Sequence, residues 1–164
     1  MSVYGRILLA GFGSFLLLAG AFGFQYVGKL APCPMCLWQR WPHAAAILIA
    51  ILAMTILWQQ RRVLAGLGAV AMMISAGLGL YHAGVEQKWW KGPGSCSGAD
   101  PGALSTDQLL DQLMETPLVR CDEIVWDLFG ITMAGWNGLI SFGLAVLWVF
   151  AALPKTPTRH VVPG

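Results

Sequence analysis

The sequence predicts an all-α integral membrane protein: a bundle of four transmembrane helices with one long loop outside the bilayer. Three observations predict it. First, 11% of the 164 residues are charged while 57% are hydrophobic, against the about 25% of charged residues that coat a soluble domain. Second, the ten basic and eight acidic residues leave four charge-free stretches, 7–28, 41–60, 63–85 and 128–154. Each is close to the roughly 20 residues that cross a hydrocarbon core of about 30 Å at about 1.5 Å per residue. Third, Trp41, Trp58, Trp89, Trp90 and Trp126 stand at or near the ends of these stretches, where interfacial aromatics collect. Trp136 is apolar filler by comparison. A mean hydropathy of +0.64 and a net charge of +2 exclude an ordinary soluble enzyme and a disordered tail. The charge is also too small for the phosphate-neutralising footprint of a nucleic-acid binder.

Residues 1–164 then form a single membrane domain, with helices expected near 7–27, 42–58, 63–83 and 131–152. The apolar run 7–24 of the first helix exceeds the ~7–15 residues of a signal-peptide core, so it is read as retained. Cleavage near residue 25 would leave the sidedness of the rest unchanged. The second and third helices are joined by the short turn Gln59-Gln60-Arg61-Arg62. In the last helix Ala134/Gly138 and Ser141/Ala145 are small residues spaced by four, a pattern that lets helices pack closely in lipid.

Four helices put both termini on one side, with that turn and the tail 154–164. This side has five basic residues on about 21 residues of short flank, and no acids or cysteines. The segments 28–41 and 86–130 also hold five basic residues, but over a longer stretch. The positive-inside bias acts on short flanks, which places the termini in the cytoplasm. All eight acids fall between Glu86 and Asp127, marking the loop as water-exposed. Within it, Gly92-Pro93-Gly94 and Asp100-Pro101-Gly102 are turn signals. Ser105 with Gln108 resembles a capping box, and Leu109, Leu110, Leu113 and Met114 follow at helical spacing before Pro117. A short amphipathic helix over about 106–115, lying on the membrane surface, is expected; a partner-docking face is the other use for its stripe.

All four cysteines, Cys33, Cys36, Cys96 and Cys121, lie in the two non-cytoplasmic segments. An even set of thiols on the oxidising side of a membrane points to disulfide chemistry. Cys33-Pro34-Met35-Cys36 immediately precedes the second helix, whose positive N-terminus stabilises a thiolate. Thiolate is both the attacking and the leaving species of disulfide exchange. A structural bridge or a zinc site is the competing use of a CxxC. Zinc would need four ligands drawn together, and the second cysteine pair lacks that spacing, so no metal is expected. Cys96 sits in a Gly/Pro/Ser-rich stretch suited to movement, and Cys121 follows Arg120, whose charge would favour its thiolate. A bridge between them would close a loop of about 26 residues, contributing about 3 kcal/mol as a staple. An exposed pair there would be equally suited to exchange.

The run Cys33-Pro34-Met35-Cys36-Leu37-Trp38-Gln39-Arg40 at the head of the second helix resembles the disulfide bond formation protein B (DsbB) family. So do the later cysteine pair and the run Cys121…Trp126-Asp127-Leu128-Phe129-Gly130-Ile131-Thr132-Met133…Trp136-Asn137, over most of the chain and in order. The resemblance implies a bacterial inner-membrane enzyme that reoxidises a periplasmic thioredoxin-fold dithiol oxidase (DsbA-like) and passes two electrons to a membrane quinone, ubiquinone or menaquinone. It places the cysteines in the periplasm. By position, Cys96 would form the mixed disulfide with the partner, the Cys96–Cys121 pair would be reduced, and electrons would pass to Cys33–Cys36. Cys36 would face the quinone as thiolate, leaving Cys33 to exchange with Cys121.

Arg40 lies four residues after Cys36 on the same helix face, where its charge can stabilise a thiolate or a quinone oxygen; a snorkelling anchor is the plainer use. His82, near the outer end of the third helix, is expected to hydrogen-bond a quinone oxygen or relay a proton, or else to be an ordinary interfacial histidine. His43 is expected at the surface. The Tyr81–Glu86 run and the Trp89–Cys96 approach depart from the best-known family pattern and mark a subgroup. Two alternatives stand beside this reading. One is a non-enzymatic four-helix membrane protein with structural disulfides. The other resembles vitamin K epoxide reductase, whose quinone-facing CxxC comes late in the bundle and not, as here, at the second helix.

Overall fold

The computed structural model describes residues 1–94, 96 and 119–154. The expected amphipathic helix over 106–115 and the turn at Asp100-Pro101-Gly102 lie outside the described residues. Four helices are long and apolar enough to cross a membrane: α1 (Val3–Tyr26), α2 (Pro34–Met54), α3 (Arg61–Glu86) and α4 (Met133–Ala152). A single 3₁₀ turn, Trp58–Gln60, leads into α3, and a two-stranded hairpin, β1 (Asp127–Leu128) and β2 (Ile131–Thr132), leads into α4.

The helix ends differ from the charge-gap expectation because local capping sets them. Ser2 Oγ accepts from Gly5 N at 3.1 Å and starts α1 four residues early. Pro34 opens α2 at a position where a missing N–H costs nothing, and Cys33 caps it through Sγ. The helix therefore begins eight residues before the expected residue 42, with Cys36 and Arg40 inside it. Pro42 lies within α2 and leaves the Trp38 carbonyl without an amide four residues on, which a buried membrane helix tolerates. At the other end Thr55 Oγ1 bonds Ile51 O at 2.7 Å and α2 stops at Met54. Helix α3 runs on to Glu86, so His82 and Glu86 share one continuous helix.

The bundle is small inside and large outside. Ala10, Ala46, Ala50, Ala65, Ala76, Ala134 and Ala145 are buried, whereas Leu8, Phe12, Leu48, Ile51, Leu67, Val70 and Phe142 are exposed. Lipid solvates large apolar side chains as well as protein does, so close backbone approach, not their burial, holds such helices together. The tightest approach is between α3 and α4: a Cβ on Gly79 would stand 2.7 Å from Gly138 N and 2.9 Å from Ala134 O. The small-residue pattern Ala134/Gly138/Ser141/Ala145 lies on that buried face.

Alternating helix directions gather the C-terminal ends of α1 and α3 with the N-terminal ends of α2 and α4. At the opposite end Arg6 donates to Phe150 O, and the Arg61 guanidinium stacks 5.1 Å from the Tyr4 ring centre. At the cysteine end the hairpin pairs Asp127 with Thr132 and Leu128 with Ile131. Phe129 and Gly130 both take positive φ, 55° and 75°, the two-residue turn whose twist suits a hairpin. Thr132 Oγ1 then accepts from Gly135 N at 3.1 Å and caps α4. Trp136 is more than filler, since its Nε1 donates to Leu128 O at 3.2 Å and ties the hairpin to α4.

Candidate active site

The two cysteine pairs meet where α2 begins and α3 ends. Cys33 and Cys36 are free thiols, one turn apart, and the Cys33 thiol donates to Cys36 Sγ at 2.9 Å. Cys36 therefore occupies the first helical turn, where the helix dipole favours negative charge on sulfur. The hydrogen bond to Cys36 and then burial hold the Cys33 thiol protonated, far above the ordinary thiol range. Cys96 and Cys121 are joined by a disulfide with a Cα–Cα distance of 5.1 Å. Both are buried, packed with Cys33, Met35 and Val85, and so are not the exposed pair that was one of the two uses the sequence left open. Sulfurs of Cys33 and Cys121 and a ring nitrogen of His82 lie within 4.8 Å of one another. The Cys121 sulfur is already bonded to Cys96, so the trio offers two free donors, short of the four of a structural zinc site.

Arg120 does not serve Cys121 as expected. Its guanidinium is exposed and bound to both Asp122 oxygens, at 2.9 and 2.8 Å, with Glu123 at 3.6 Å. Arg120 in turn holds the Asp122 carboxyl below its ordinary range.

Below the thiols a chain of buried polar groups runs into the bundle. His82 Nε2 is 3.6 Å from Cys33 Sγ and 3.9 Å from Glu86 Oε1. Its Nδ1 is 2.9 Å from Gln39 Nε2. Asn137 Nδ2 donates to Gln39 Oε1 at 2.7 Å, so the Gln39 amide nitrogen is the donor to His82. A neutral imidazole has one N–H; with Nδ1 accepting, the proton is on Nε2, facing the Cys33 sulfur. Further in, His43 Nε2 is 2.9 Å from Asn137 Oδ1, with Ser75 Oγ and Ser141 Oγ at 3.1 and 3.3 Å. His43 is thus buried at 3% exposure, contrary to its expected surface position, because the early start of α2 carries it two turns into the bundle.

These groups border a cavity of about 430 Å³ between α1, α2 and α4. Its walls are mostly apolar, with Cys36, Gln39, Arg40, His43, His82, Glu86 and Asn137 as the polar exceptions. Arg40 is clamped on α1: Nη1 donates to Gln25 Oε1 at 2.6 Å, Nη2 to Ala21 O at 3.5 Å, and the guanidinium lies 4.8 Å from the Phe22 ring centre. Five buried side-chain polar atoms lack a partner among the described residues, and three of them, Arg40 Nε, His43 Nδ1 and Glu86 Oε2, belong to residues of this cavity. These three atoms are enclosed within the walls, and what suits the cavity to a small ligand is its mostly apolar lining with a few polar side chains.

The structure brings together all six predicted site residues, Cys33, Cys36, Arg40, His82, Cys96 and Cys121. Gln39, His43, Asn137, Ser75 and Ser141 join them unforeseen. Their signal was present as polar residues at helical spacing in or just beside the charge-free stretches: Cys36, Gln39, Arg40 and His43 on α2, Ser75, His82 and Glu86 on α3, Asn137 and Ser141 on α4. Such residues mark function by default in a membrane.

The sequence profile of the family described as Disulfide bond formation protein DsbB matches residues 5–151. Disulfide bond formation protein B 2 of Pseudomonas aeruginosa is 32% identical over 82% of this chain and 82% of its own. Disulfide bond formation protein B of Albidiferax ferrireducens is 34% identical over 86% and 83%. That of Marinobacter nauticus is 30% identical over 96% and 94%. No solved structure matches the chain.

Proposed function

The chain belongs to the DsbB family of disulfide bond formation proteins, and on that premise we propose that it carries electrons from a periplasmic thioredoxin-fold dithiol protein to a membrane quinone. The observation that carries this reading is the contact of the two cysteine pairs, with Cys33 and Cys121 sulfurs within 4.8 Å and Cys36 on the wall of a cavity in the membrane-spanning bundle.

In the first exchange a partner thiolate attacks Cys96, forming a mixed disulfide and expelling Cys121 as thiolate. The second partner thiol then attacks the mixed disulfide, so the partner leaves oxidised and Cys96 and Cys121 are left as thiols. In the second exchange the Cys121 thiolate attacks Cys33 of an oxidised Cys33–Cys36 pair and expels Cys36. Cys96 attacks Cys121, re-forming their bridge and releasing Cys33. Two electrons and two protons now reside on Cys33 and Cys36. The His82 Nε2–H faces Cys33 and stabilises its sulfur as it leaves; the helix N-terminus does the same for Cys36. A bound quinone supplies the final acceptor for two electrons and two protons. Arg40, clamped on α1 one turn below Cys36 and lining the cavity, would help hold such a ring and supply positive charge to it.

The density of basic residues on the short flanks supports cytoplasmic termini, a periplasmic cysteine end and an inner-membrane location. Turnover tests the whole reading: in detergent, reduced thioredoxin-fold partner plus ubiquinone or menaquinone should give partner disulfide and hydroquinone in equal amounts. Cys36→Ser should abolish it. Quinone reduction by Cys36→Ser at the wild-type rate refutes the scheme. If both bridges are only structural staples, Cys121→Ala should trap no mixed disulfide through Cys96.

A further inference from the structure

With the Cys96–Cys121 bridge closed, the cysteine end holds two free thiols, Cys33 and Cys36. Opening the bridge makes four, and the backbone keeps them together. Cys121 N donates to Cys96 O at 3.0 Å, and Cys96 N donates to Pro93 O at 2.8 Å. The 5.1 Å between the Cys96 and Cys121 Cα atoms is therefore held by more than the S–S bond. The Cys33 and Cys36 sulfurs are 2.9 Å apart, and those of Cys33 and Cys121 lie within 4.8 Å. In a tetrahedral zinc site with Zn–S bonds of about 2.3 Å, sulfurs stand about 3.8 Å apart. Both distances are near that spacing, and two sulfurs freed from a bridge part to a contact distance close to it.

The cluster also has the donors that bound thiolates need. Cys36 N donates to Cys33 Sγ at 3.2 Å, and the His82 Nε2–H faces the same sulfur from 3.6 Å. The N-terminus of α2 adds its dipole. Such outer hydrogen bonds orient metal ligands and tune their charge. All four cysteines pack in one group with Met35, Val85 and Val119.

We propose that the fully reduced protein binds one Zn²⁺ on the thiolates of Cys33, Cys36, Cys96 and Cys121, and that this holds it out of the relay. Thiolates select zinc over Mg²⁺ and Ca²⁺. The four-thiol state forms when a second reduced partner dithiol opens the Cys96–Cys121 bridge, leaving as a disulfide, before the Cys33–Cys36 dithiol has given up its electrons. Zn²⁺ then displaces four thiol protons, with no change in oxidation state. A sulfur bound to the metal neither attacks nor is attacked, so both pairs stay reduced. The site goes beyond the quinone reading; only the occasion on which it fills in turnover rests on that reading.

The test uses the full chain in detergent, without quinone. A phosphine reductant opens both pairs, and alkylation of a sample counts four thiols. This protein should bind one Zn²⁺ with nanomolar or tighter affinity, as structural sites do, read by competition with a chromophoric chelator. Co²⁺ in its place should give the thiolate charge-transfer and visible bands of a tetrahedral sulfur site. Oxidised wild type, and Cys96→Ala/Cys121→Ala with Cys33 and Cys36 reduced, should bind zinc at least about 100-fold more weakly, since losing an outer partner alone costs about 10–100-fold. Zinc should also slow alkylation of all four cysteines in the reduced wild type. Reduced wild type that binds no more tightly than oxidised wild type overturns the proposal, and this comparison needs no variant to fold. A cobalt spectrum without thiolate bands, or unslowed labelling of Cys96 or Cys121, overturns it equally. Protein that binds zinc in this way but never passes electrons from partner to quinone overturns the quinone reading and leaves this inference standing; protein that turns over quinone and binds no zinc when reduced overturns this inference alone.

Discussion

Gln39→Leu removes the centre of the buried polar chain while keeping side-chain size. Gln39 makes three contacts: to His82 Nδ1 at 2.9 Å, to Met35 O at 3.3 Å and from Asn137 Nδ2 at 2.7 Å. Hydrogen bonds between membrane helices average about 0.6 kcal/mol and reach about 1.7, so their loss should cost about 2 kcal/mol. The kinetic consequence is larger and specific. Without the Gln39 amide, His82 is no longer held with its N–H on Nε2, and the Cys33 sulfur, 3.6 Å away, loses a donor as it becomes thiolate. A hydrogen bond to a charged group contributes about 1.5–3 kcal/mol. At tenfold per about 1.4 kcal/mol, and with a long contact favouring the lower figure, exchange between the two pairs should slow by about tenfold. Stability is read by unfolding in mixed micelles. The exchange is read by rapid acid quench and thiol alkylation after mixing oxidised protein with reduced partner. The first exchange, at Cys96, should keep its wild-type rate. A folded Gln39→Leu protein that reduces Cys33–Cys36 at the wild-type rate refutes the role of the His82 tautomer.

Three other outcomes follow from the same geometry. Arg40→Ala should raise the KM for quinone at least tenfold, from loss of a charge-assisted contact, while the KM for the thiol partner stays put; steady-state kinetics with each substrate varied separates the two. In the reduced protein at neutral pH, iodoacetamide should modify Cys36 well before Cys33. The Cys33 thiol is held protonated by its bond to Cys36 and by burial, and only thiolate reacts; mass spectrometry of the labelled peptides reads the order, which should fade only as pH rises far into the alkaline range. Gly79→Ala places a Cβ against α4 backbone at 2.7–2.9 Å, so it should cost about 1–3 kcal/mol by overpacking, measured by unfolding in mixed micelles, whereas Gly77→Ala, with nothing within 4 Å, should not.

What could be read from the chain alone follows from which forces act locally. The absence of charge located the four spans because the bilayer imposes that requirement on every residue of a span. It did not locate the helix ends, which are set by the Ser2 and Cys33 caps and by Thr55. That difference matters at α2, where the eight added residues carry Cys36 and Arg40 into the helix and His43 into the core. The cysteine positions announced thiol chemistry, but the packing of Cys96 and Cys121 against Cys33 is a contact between distant segments that no local pattern encodes. Gln39 and Asn137 were given no role because each is uncharged; their meaning appears only when α2 and α4 meet. Arg120 shows the opposite case, a neighbour in sequence whose charge is spent on Asp122.

The relay depends on Cys33 and Cys121 reaching each other. In the variant Cys36→Ser/Cys96→Ser these two are the only thiols left, and their sulfurs stand within 4.8 Å. On mild oxidation they should close an intramolecular disulfide in nearly every molecule, seen as loss of both alkylation sites and their return with reductant. Two thiols that both remain open to alkylation after oxidation would show that the pairs do not exchange, and the relay would fall.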